Sequence, residues 1–125
     1  MSKTILIAED HADIRSMTRY LLQSFGCGVI EARDGYEAVK QAKSLRPDLI
    51  LMDIAMPVMN GITAAHLIRT ADSCREIPIV AVTTYGGEYV DTEDDFGFDR
   101  VLQKPLQSED IQSLIQDFLG VETVH

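Results

Sequence analysis

The sequence predicts a single α/β domain, and two observations predict it. Short apolar, strand-like runs alternate with amphipathic segments along the chain. Chains with this alternation form a doubly wound sandwich, because right-handed crossovers place the helices on both faces of one parallel sheet. The chain has 125 residues and no low-complexity tract, which is the length of one domain with a core of its own. We therefore expect residues 1–125 to form one domain.

The predicted strands are runs of four to six apolar and β-branched residues, each bounded by turn-forming or charged residues. They cover about residues 3–8, Val29–Ala32, Asp48–Asp53, Ile79–Thr83 and Arg100–Gln103. The third and fourth are apolar almost throughout, which is typical of strands that are buried on both faces of a parallel sheet.

Five helices are predicted from apolar spacing and from end signals such as Asp34 before the second helix and Pro47 after it. They run from about Ala12 to Phe25, Asp34 to Leu45, Ile62 to Thr70, Gly86 to Phe96 and Ser108 to Gly120. The fourth has the weakest helical pattern, because it contains two glycines and many acids. The apolar positions expected to face the sheet are Ile14, Met17, Leu21 and Phe25; Ala38, Ala42 and Leu45; and Ile111, Leu114, Ile115 and Phe118.

Composition excludes several classes of function. The formal charge of −9 argues against direct nucleic-acid binding, which needs clustered Lys and Arg. The sequence contains neither a membrane-spanning run nor a signal-peptide pattern, so we expect a cytoplasmic protein. Cys27 and Cys74 lack metal-type spacing and are expected to be free thiols.

Charged and polar side chains follow four of the predicted strands. Glu9 and Asp10 come after the first strand, Asp53 ends the third, Thr83 ends the fourth and Lys104 follows the fifth. In doubly wound folds ligands bind beyond the carboxyl ends of the strands. The sequence therefore predicts one site built from three carboxylates, an amine and a hydroxyl.

The chemistry of such a site depends on the three acids, because neighbouring carboxylates repel one another unless a cation lies between them. Mg²⁺ prefers oxygen ligands and is commonly held by one or two carboxylates and a phosphoryl oxygen. Glu9, Asp10 and Asp53 therefore predict a Mg²⁺ site in which Asp53 can act as a nucleophile. Lys104 and Thr83 are positioned to neutralise and hydrogen-bond a transferred phosphoryl group.

Three sequence motifs in a fixed order resemble a known family. The segments ILIAEDHADIR, MDIAMPVMNG and VLQKP, with a strand-ending Thr83 between the last two, are similar to those of response regulator receiver domains of two-component signalling. The resemblance covers about residues 3–119. It implies a flavodoxin-like sheet of order 2-1-3-4-5.

The resemblance also implies roles for individual acidic positions. Asp53 corresponds to the phosphoacceptor, and Glu9 and Asp10 correspond to the acidic pair around Mg²⁺. The backbone carbonyl of Ala55 corresponds to a main-chain metal ligand.

Further matching positions support that site. Thr83 corresponds to the hydroxyl residue that reports phosphorylation, and Lys104 to the family lysine, next to a Pro105 expected to follow a cis peptide bond. Pro57 and Gly61 correspond to residues that shape the loop after the acceptor.

One position departs from the family. Members usually carry Tyr or Phe three residues before the lysine, whereas this chain has Val101. Tyr85, Phe96 and Phe98 are candidate substitutes for the missing ring. We expect the conformational change on activation to be concentrated in residues 84–98, because glycines and weak helix propensity make that segment easy to rearrange.

The resemblance also implies that Ala55 and Tyr85 flank the path of water to a phosphorylated Asp53, so both are expected to affect its lifetime. Ala55 offers no hydrogen bond to an attacking water, and Tyr85 is expected to shield the phosphoryl group. These residues predict a long-lived phosphoaspartate and a shorter lifetime in Tyr85→Ala.

The function implied is a cytoplasmic phosphoacceptor switch that receives a phosphoryl group from a histidine kinase or histidine phosphotransfer protein, and acts on a downstream protein or output domain. One alternative is a receiver-like module that binds partners without phosphorylation. Another is an aspartyl-phosphate phosphatase, which needs an acid where this chain has Ala55. Both a stand-alone receiver and a piece of a larger regulator fit the sequence.

Three other features invite a metal-site interpretation, and each has a simpler one. His11 and His66 lack partner ligands nearby in sequence and are expected to be surface or structural residues. The acidic run 91–95 lacks the glycine and the final glutamate of a calcium loop, so a solvated acidic face is expected.

Overall fold

The computed structural model describes residues 3–84 and 97–120. Within them a five-stranded parallel sheet has the order β2-β1-β3-β4-β5. Its strands are β1 Thr4–Ala8, β2 Gly28–Ala32, β3 Leu49–Asp53, β4 Ile79–Thr83 and β5 Arg100–Gln103. The predicted fold class and strand order are therefore confirmed.

Four α-helices lie within the described residues. They are α1 Ala12–Ser24, α2 Gly35–Leu45, α3 Gly61–Thr70 and α4 Ser108–Leu114, which continues as a π-helical turn over Ile115–Leu119. A short 3₁₀ turn, Asp72–Cys74, follows α3. The helix predicted between Gly86 and Phe96 lies outside the described residues. No helix within residues 3–84 and 97–120 is long and apolar enough to cross a membrane.

Side chains cap the amino ends of α2 and α3, and of the two caps the one at Asp34 was predicted. The Asp34 carboxylate accepts a hydrogen bond of 2.8 Å from the Glu37 amide at the start of α2, and Asn60 accepts one of 2.9 Å from the Thr63 amide at the start of α3. At the other end of α2, Arg46 turns the chain at φ 45° immediately before Pro47. These caps satisfy amides that a helix terminus leaves without a partner.

The core has two layers, one on each face of the sheet. On one face Leu6, Ile50 and Ala81 pack against α2 and α3, and on the other Ile5, Leu51 and Val82 pack against α1 and α4. Alternate residues of a strand point to opposite faces, so each central strand contributes to both layers. This is the arrangement of a doubly wound sheet. Because helices cover both faces, the central strands can be reached only at their ends.

Two apolar residues expected to face the sheet are exposed, so those predictions are wrong. Met17 is 68% exposed and Leu45 is 55% exposed. The face of α1 that packs inward carries the buried Leu22 together with the predicted Leu21 and Phe25, and the partly buried Arg15 reaches Glu31 on β2. Leu45 is the last residue of α2, where the chain leaves the helix.

Candidate functional site

The carboxyl ends of four parallel strands bring the charged residues together. Strand register places Ala8 beside Met52, Asp53 beside Val82 and Thr83 beside Gln103. Residues at or just past these ends therefore meet at one end of the sheet, as the sequence predicts.

Three acids form the centre of the site. Glu9, Asp10 and Asp53 each present an oxygen within 4.8 Å of the others. Glu9 and Asp53 are buried, at 4% and 6% exposure, while Asp10 is exposed. Two buried acids beside a third carboxylate concentrate negative charge in a region with little water.

Lys104 is the cation of this cluster. Its Nζ lies 2.6 Å from Glu9 Oε1 and 3.2 Å from Asp53 Oδ2, and its side chain is 11% exposed. The second oxygen of Glu9 accepts a hydrogen bond of 3.1 Å from the His11 amide. Glu9 is therefore held at both carboxylate oxygens, whereas the structure joins Asp53 to Lys104 through one oxygen.

The electrostatics shift two ionisation equilibria. Burial, followed by the charge of Glu9, raises the pKa of Asp53 from 3.8 to about 6, against the opposing effect of Lys104. Burial alone lowers the pKa of Lys104, but its hydrogen bond to Glu9 and the charges of Asp53 and Glu9 outweigh burial, so that the pKa rises. The lysine therefore stays charged at neutral pH, and Asp53 loses its proton less readily than an exposed aspartate does.

The donor set fits a hard divalent cation. Three carboxylates, one of them exposed to water, provide the oxygen ligands that Mg²⁺ prefers, and Asp10 leaves an open side for water ligands. Burial is the main cause of the raised pKa of Asp53, and the negative charge of Glu9 adds to it. Glu9, Asp10 and Asp53 are accordingly the side chains able to hold Mg²⁺ here.

The loop after β3 is held tightly against Asp53. The Gly61 amide donates to the Ile54 carbonyl at 2.9 Å, and a Cβ on Gly61 would overlap the Asp53 carbonyl oxygen. Pro57 accepts a 2.7 Å hydrogen bond from the Met59 amide across Val58, which has φ 68°. Gly61 thus permits a backbone approach that any side chain would block.

The remaining supporting residues lie beside this cluster in the chain. Ala55 is exposed in the loop that follows Asp53. The Lys104–Pro105 peptide bond is cis, as predicted. Thr83 is buried at 6% exposure, and its carbonyl accepts the Lys104 amide at 2.9 Å. This hydrogen bond ties the backbone of the lysine to the end of β4.

Val101 occupies the position where the family usually has an aromatic ring. It is partly buried and packs against the core layer that contains Phe98, which is only 2% exposed. Phe98 is therefore a core residue, and Tyr85 and Phe96 lie outside the described residues. The expected change within 84–98 and the shielding by Tyr85 fall largely outside them as well.

A largely apolar groove of about 850 Å³ opens beside the site. Asp53 and Lys104 line it, together with Ile14 and Met17 of α1 and Leu106 after β5. The exposed Tyr20, at 77% exposure, also borders it. The groove connects the acidic cluster with an apolar strip along α1.

Sequence reasoning missed one interaction at the site. The Arg15 guanidinium donates a 2.8 Å hydrogen bond to the Glu9 carbonyl and pairs with Glu31 at 3.1 Å. The available signal was Glu31, a lone acid in the apolar run Val29–Ala32, together with arginines at positions 15 and 19. An acid in such a strand needs a cationic partner, and an adjacent helix can supply one.

The chain matches a family model described as response regulator receiver domain over residues 5–116. It is 32% identical to the polar-differentiation response regulator DivK of Brucella anthropi, with 96% of this chain and 98% of that protein covered. It is 36% identical to the transcription factor SKN7 of Chaetomium thermophilum over 93% of this chain, which is only 15% of that protein.

Solved structures show the same fold. The receiver domain of the sensor histidine kinase PA1611 from Pseudomonas aeruginosa, with a magnesium ion in its active site cleft, has a TM-score of 0.88 and 32% identity. The match covers 97% of this chain and 100% of that one. The chemotaxis protein CheY4 of Vibrio cholerae has a TM-score of 0.86 and 30% identity, with 94% and 99% covered.

Proposed function

This chain belongs to the response regulator receiver domain family, and we propose that it is a phosphoacceptor switch in which Asp53 is the phosphorylated residue. The observation that carries the proposal is the convergence of three carboxylates and Lys104 at one end of the sheet. A lone buried aspartate would destabilise the fold. Asp53 instead lies between the acidic pair Glu9 and Asp10 and the Lys104 ammonium, which are the partners that phosphoryl transfer needs.

In the proposed reaction an Asp53 carboxylate oxygen attacks the phosphorus of a phosphohistidine. The new O–P bond forms as the P–N bond breaks, and the imidazole leaves with the electron pair of that bond. Lys104 contacts Asp53 at rest and neutralises a phosphoryl oxygen afterwards, while the Thr83 hydroxyl donates to another. Mg²⁺, held by Glu9, Asp10, Asp53 and the Ala55 carbonyl, would supply charge neutralisation on the transferred group. Hydrolysis of the acyl phosphate returns Asp53 to its carboxylate.

The proposed phosphodonor is a cytoplasmic histidine kinase or histidine phosphotransfer protein. A protein donor must bring an imidazole to Asp53, and the apolar groove that joins Asp53 to Met17 provides a surface for that approach. Phosphorylation would then change how the domain binds a downstream protein or output domain. We propose that the whole chain acts as one receiver unit, with no nucleic-acid or membrane contact of its own.

A direct test is incubation with acetyl phosphate and Mg²⁺, followed by intact-mass measurement. We expect addition of one phosphoryl group in the wild type and none in Asp53→Asn or after chelation of the metal. Asp72→Asn is the matched control, because Asp72 is an exposed surface acid paired with Arg75, and it should be modified normally. Modification of Asp53→Asn to the wild-type extent would refute the assignment of the acceptor.

A second candidate is a receiver-like module that binds its partner without being phosphorylated. Val101 favours it, because the family's usual ring is absent at this position. The same mass measurement separates the two functions, since the module would remain unmodified while the receiver would not.

A further inference from the structure

The peptide group that joins Glu9 to Asp10 is held by a residue outside the acidic cluster. In the preceding peptide group, the Glu9 amide donates to the Ala32 carbonyl at 3.0 Å. In the peptide group between Glu9 and Asp10, the Glu9 carbonyl accepts from Arg15 Nη1 at 2.8 Å. Because a peptide unit is planar, holding this carbonyl orients the whole unit, including the Asp10 Cα at its far end. The hydrogen bond therefore constrains the direction of the Asp10 side chain.

Arg15 is itself held in place. Its Nε lies 3.1 Å from Glu31 Oε1, and its side chain is 15% exposed. The other oxygen of Glu31 lies 2.8 Å from Arg19 Nη1. Glu31 lies in β2, where it pairs with Ile7 of β1. The guanidinium therefore bridges a carboxylate in the sheet and the backbone of the acidic pair, using the fixed fork of donors that Arg alone provides.

We propose that Arg15 is a positioning residue for the magnesium site, which acts through the Glu9 carbonyl and depends on Glu31 for its own orientation. The proposal rests on the metal site of the proposed function. Residues that hydrogen-bond the ligands of a metal, without binding it themselves, commonly set the affinity because they fix ligand direction. Asp10 is exposed, so a fixed backbone is its main source of orientation.

The charge of Arg15 makes the proposal sharply testable. A cation near three carboxylates repels Mg²⁺, so an Arg15 that acted only through its charge would weaken metal binding, and its removal would strengthen it. A positioning role predicts the opposite sign. Removing Arg15 then weakens Mg²⁺ binding even though a competing positive charge has been lost.

The experiment is calorimetric titration of Mg²⁺ into the whole chain for wild type, Arg15→Gln, Arg15→Lys, Glu31→Gln and Arg33→Gln. We expect Arg15→Gln to raise the Kd for Mg²⁺ roughly tenfold and Arg15→Lys to restore part of the affinity. Glu31→Gln, which keeps every atom of Arg15, should also weaken binding. Arg33→Gln is the control, because it removes a charge one residue after β2 from an exposed pair with Glu37.

A second readout separates positioning from chemistry. In acetyl phosphate reactions the Mg²⁺ concentration for half-maximal rate should rise in Arg15→Gln, while the maximal rate at saturating Mg²⁺ stays within about twofold of wild type. The double variant Arg15→Gln/Glu31→Gln should bind Mg²⁺ no more weakly than Arg15→Gln alone, because both changes disrupt the same Arg15–Glu31 contact.

Unchanged or tighter Mg²⁺ binding in Arg15→Gln would overturn the proposal, and so would equal weakening in Arg33→Gln. If Arg15→Gln does not fold, Arg15→Lys decides, because it keeps the positive charge and changes only the geometry, and wild-type affinity in that variant refutes the positioning role. A wild-type protein that binds no Mg²⁺ would instead refute the metal site of the proposed function, a result distinct from the others.

Discussion

Lys104 Nζ lies closer to Glu9 Oε1 than to Asp53 Oδ2, at 2.6 Å against 3.2 Å. The lysine therefore pairs most closely with a proposed metal ligand rather than with the proposed phosphoacceptor. By formal charge, three carboxylates and one ammonium leave two negative charges in the cluster. A divalent cation would balance them, and to bind Glu9 it would have to compete with the lysine.

The first prediction concerns this competition. We expect Lys104→Gln to bind Mg²⁺ more tightly, roughly fivefold or about 1 kcal/mol, because the competing ammonium is gone. The same variant should be phosphorylated at least about tenfold more slowly at saturating Mg²⁺, since it lacks the cation that neutralises the phosphoryl oxygen.

Calorimetry and intact-mass time courses measure the two effects separately. Lys40→Gln is a suitable control, because Lys40 is an exposed residue of α2, and both quantities should match wild type. Weaker Mg²⁺ binding in Lys104→Gln would contradict the competition argument.

The second prediction follows from the pKa of Asp53, which is raised from 3.8 to about 6. Asp53 therefore holds its proton more tightly in the folded state than in the unfolded chain. The folded state loses stability as pH rises between the two pKa values, from about 4 to about 6, and the full loss is present above pH 6. Asp53→Asn removes the charge. It should therefore raise the free energy of unfolding by about 1 to 2 kcal/mol at pH 7.5 without metal.

Urea titrations at several pH values measure this difference. The extra free energy of unfolding of Asp53→Asn over wild type should shrink as pH falls through about 5. Saturating Mg²⁺ should also reduce this difference, because it stabilises the wild type. An Asp53→Asn protein that gained the same stability at pH 4 and pH 7.5 would show that burial of charge is not the cause.

The third prediction tests the close approach of Gly61. Gly61→Ala should lower the free energy of unfolding by about 3 kcal/mol and reduce phosphorylation, because the new Cβ would overlap the Asp53 carbonyl oxygen and displace the acceptor. Gly26→Ala is the matched comparison. Gly26 has φ 85°, and a Cβ added there would meet no heavy atom within 4 Å, so the change should cost only about 1 kcal/mol. Equal losses in the two variants, measured in urea, would remove the steric explanation.

The fourth prediction concerns Val58, which adopts φ 68° and is 83% exposed. A β-branched residue is strained in the left-handed region, whereas Asn adopts it readily. We expect Val58→Asn to raise the free energy of unfolding by about 1 kcal/mol, seen as a higher melting temperature. Met17→Asn changes another exposed apolar residue, in the middle of a helix, and it should be neutral or destabilising. A destabilised Val58→Asn would show that the strain argument is wrong.

Much of the site was readable from residues that are close together in sequence. An apolar run that ends in Asp53, and two others that end beside Glu9 and Lys104, depend on local propensity and period alone. A parallel sheet places those ends at the same edge, and the strand order implied by the family resemblance makes them neighbours. The cap at Asp34 was predictable for the same reason, because its partner Glu37 is three residues away.

The inner face of α1 was predictable only in part, since Leu21 and Phe25 pack against the core as expected. Its apolar residues occupy more than one side, so spacing pointed to Met17, which is exposed. In the structure α1 buries Leu22 and places Arg15 and Arg19 against Glu31 on a different element. Such a pair forms only when packing sets the distance between helix and strand.

The amino-acid sequence alone determined the fold class, the order of elements and which acids and which lysine meet at the end of the sheet, because these follow from interactions over a few residues and from the rules of parallel topology. Tertiary structure decided how those groups pair: Lys104 with Glu9 before Asp53, Arg15 with the Glu9 carbonyl, and Gly61 against the Asp53 backbone. Those choices depend on distances of a few tenths of an ångström between distant segments, which only the packed core sets.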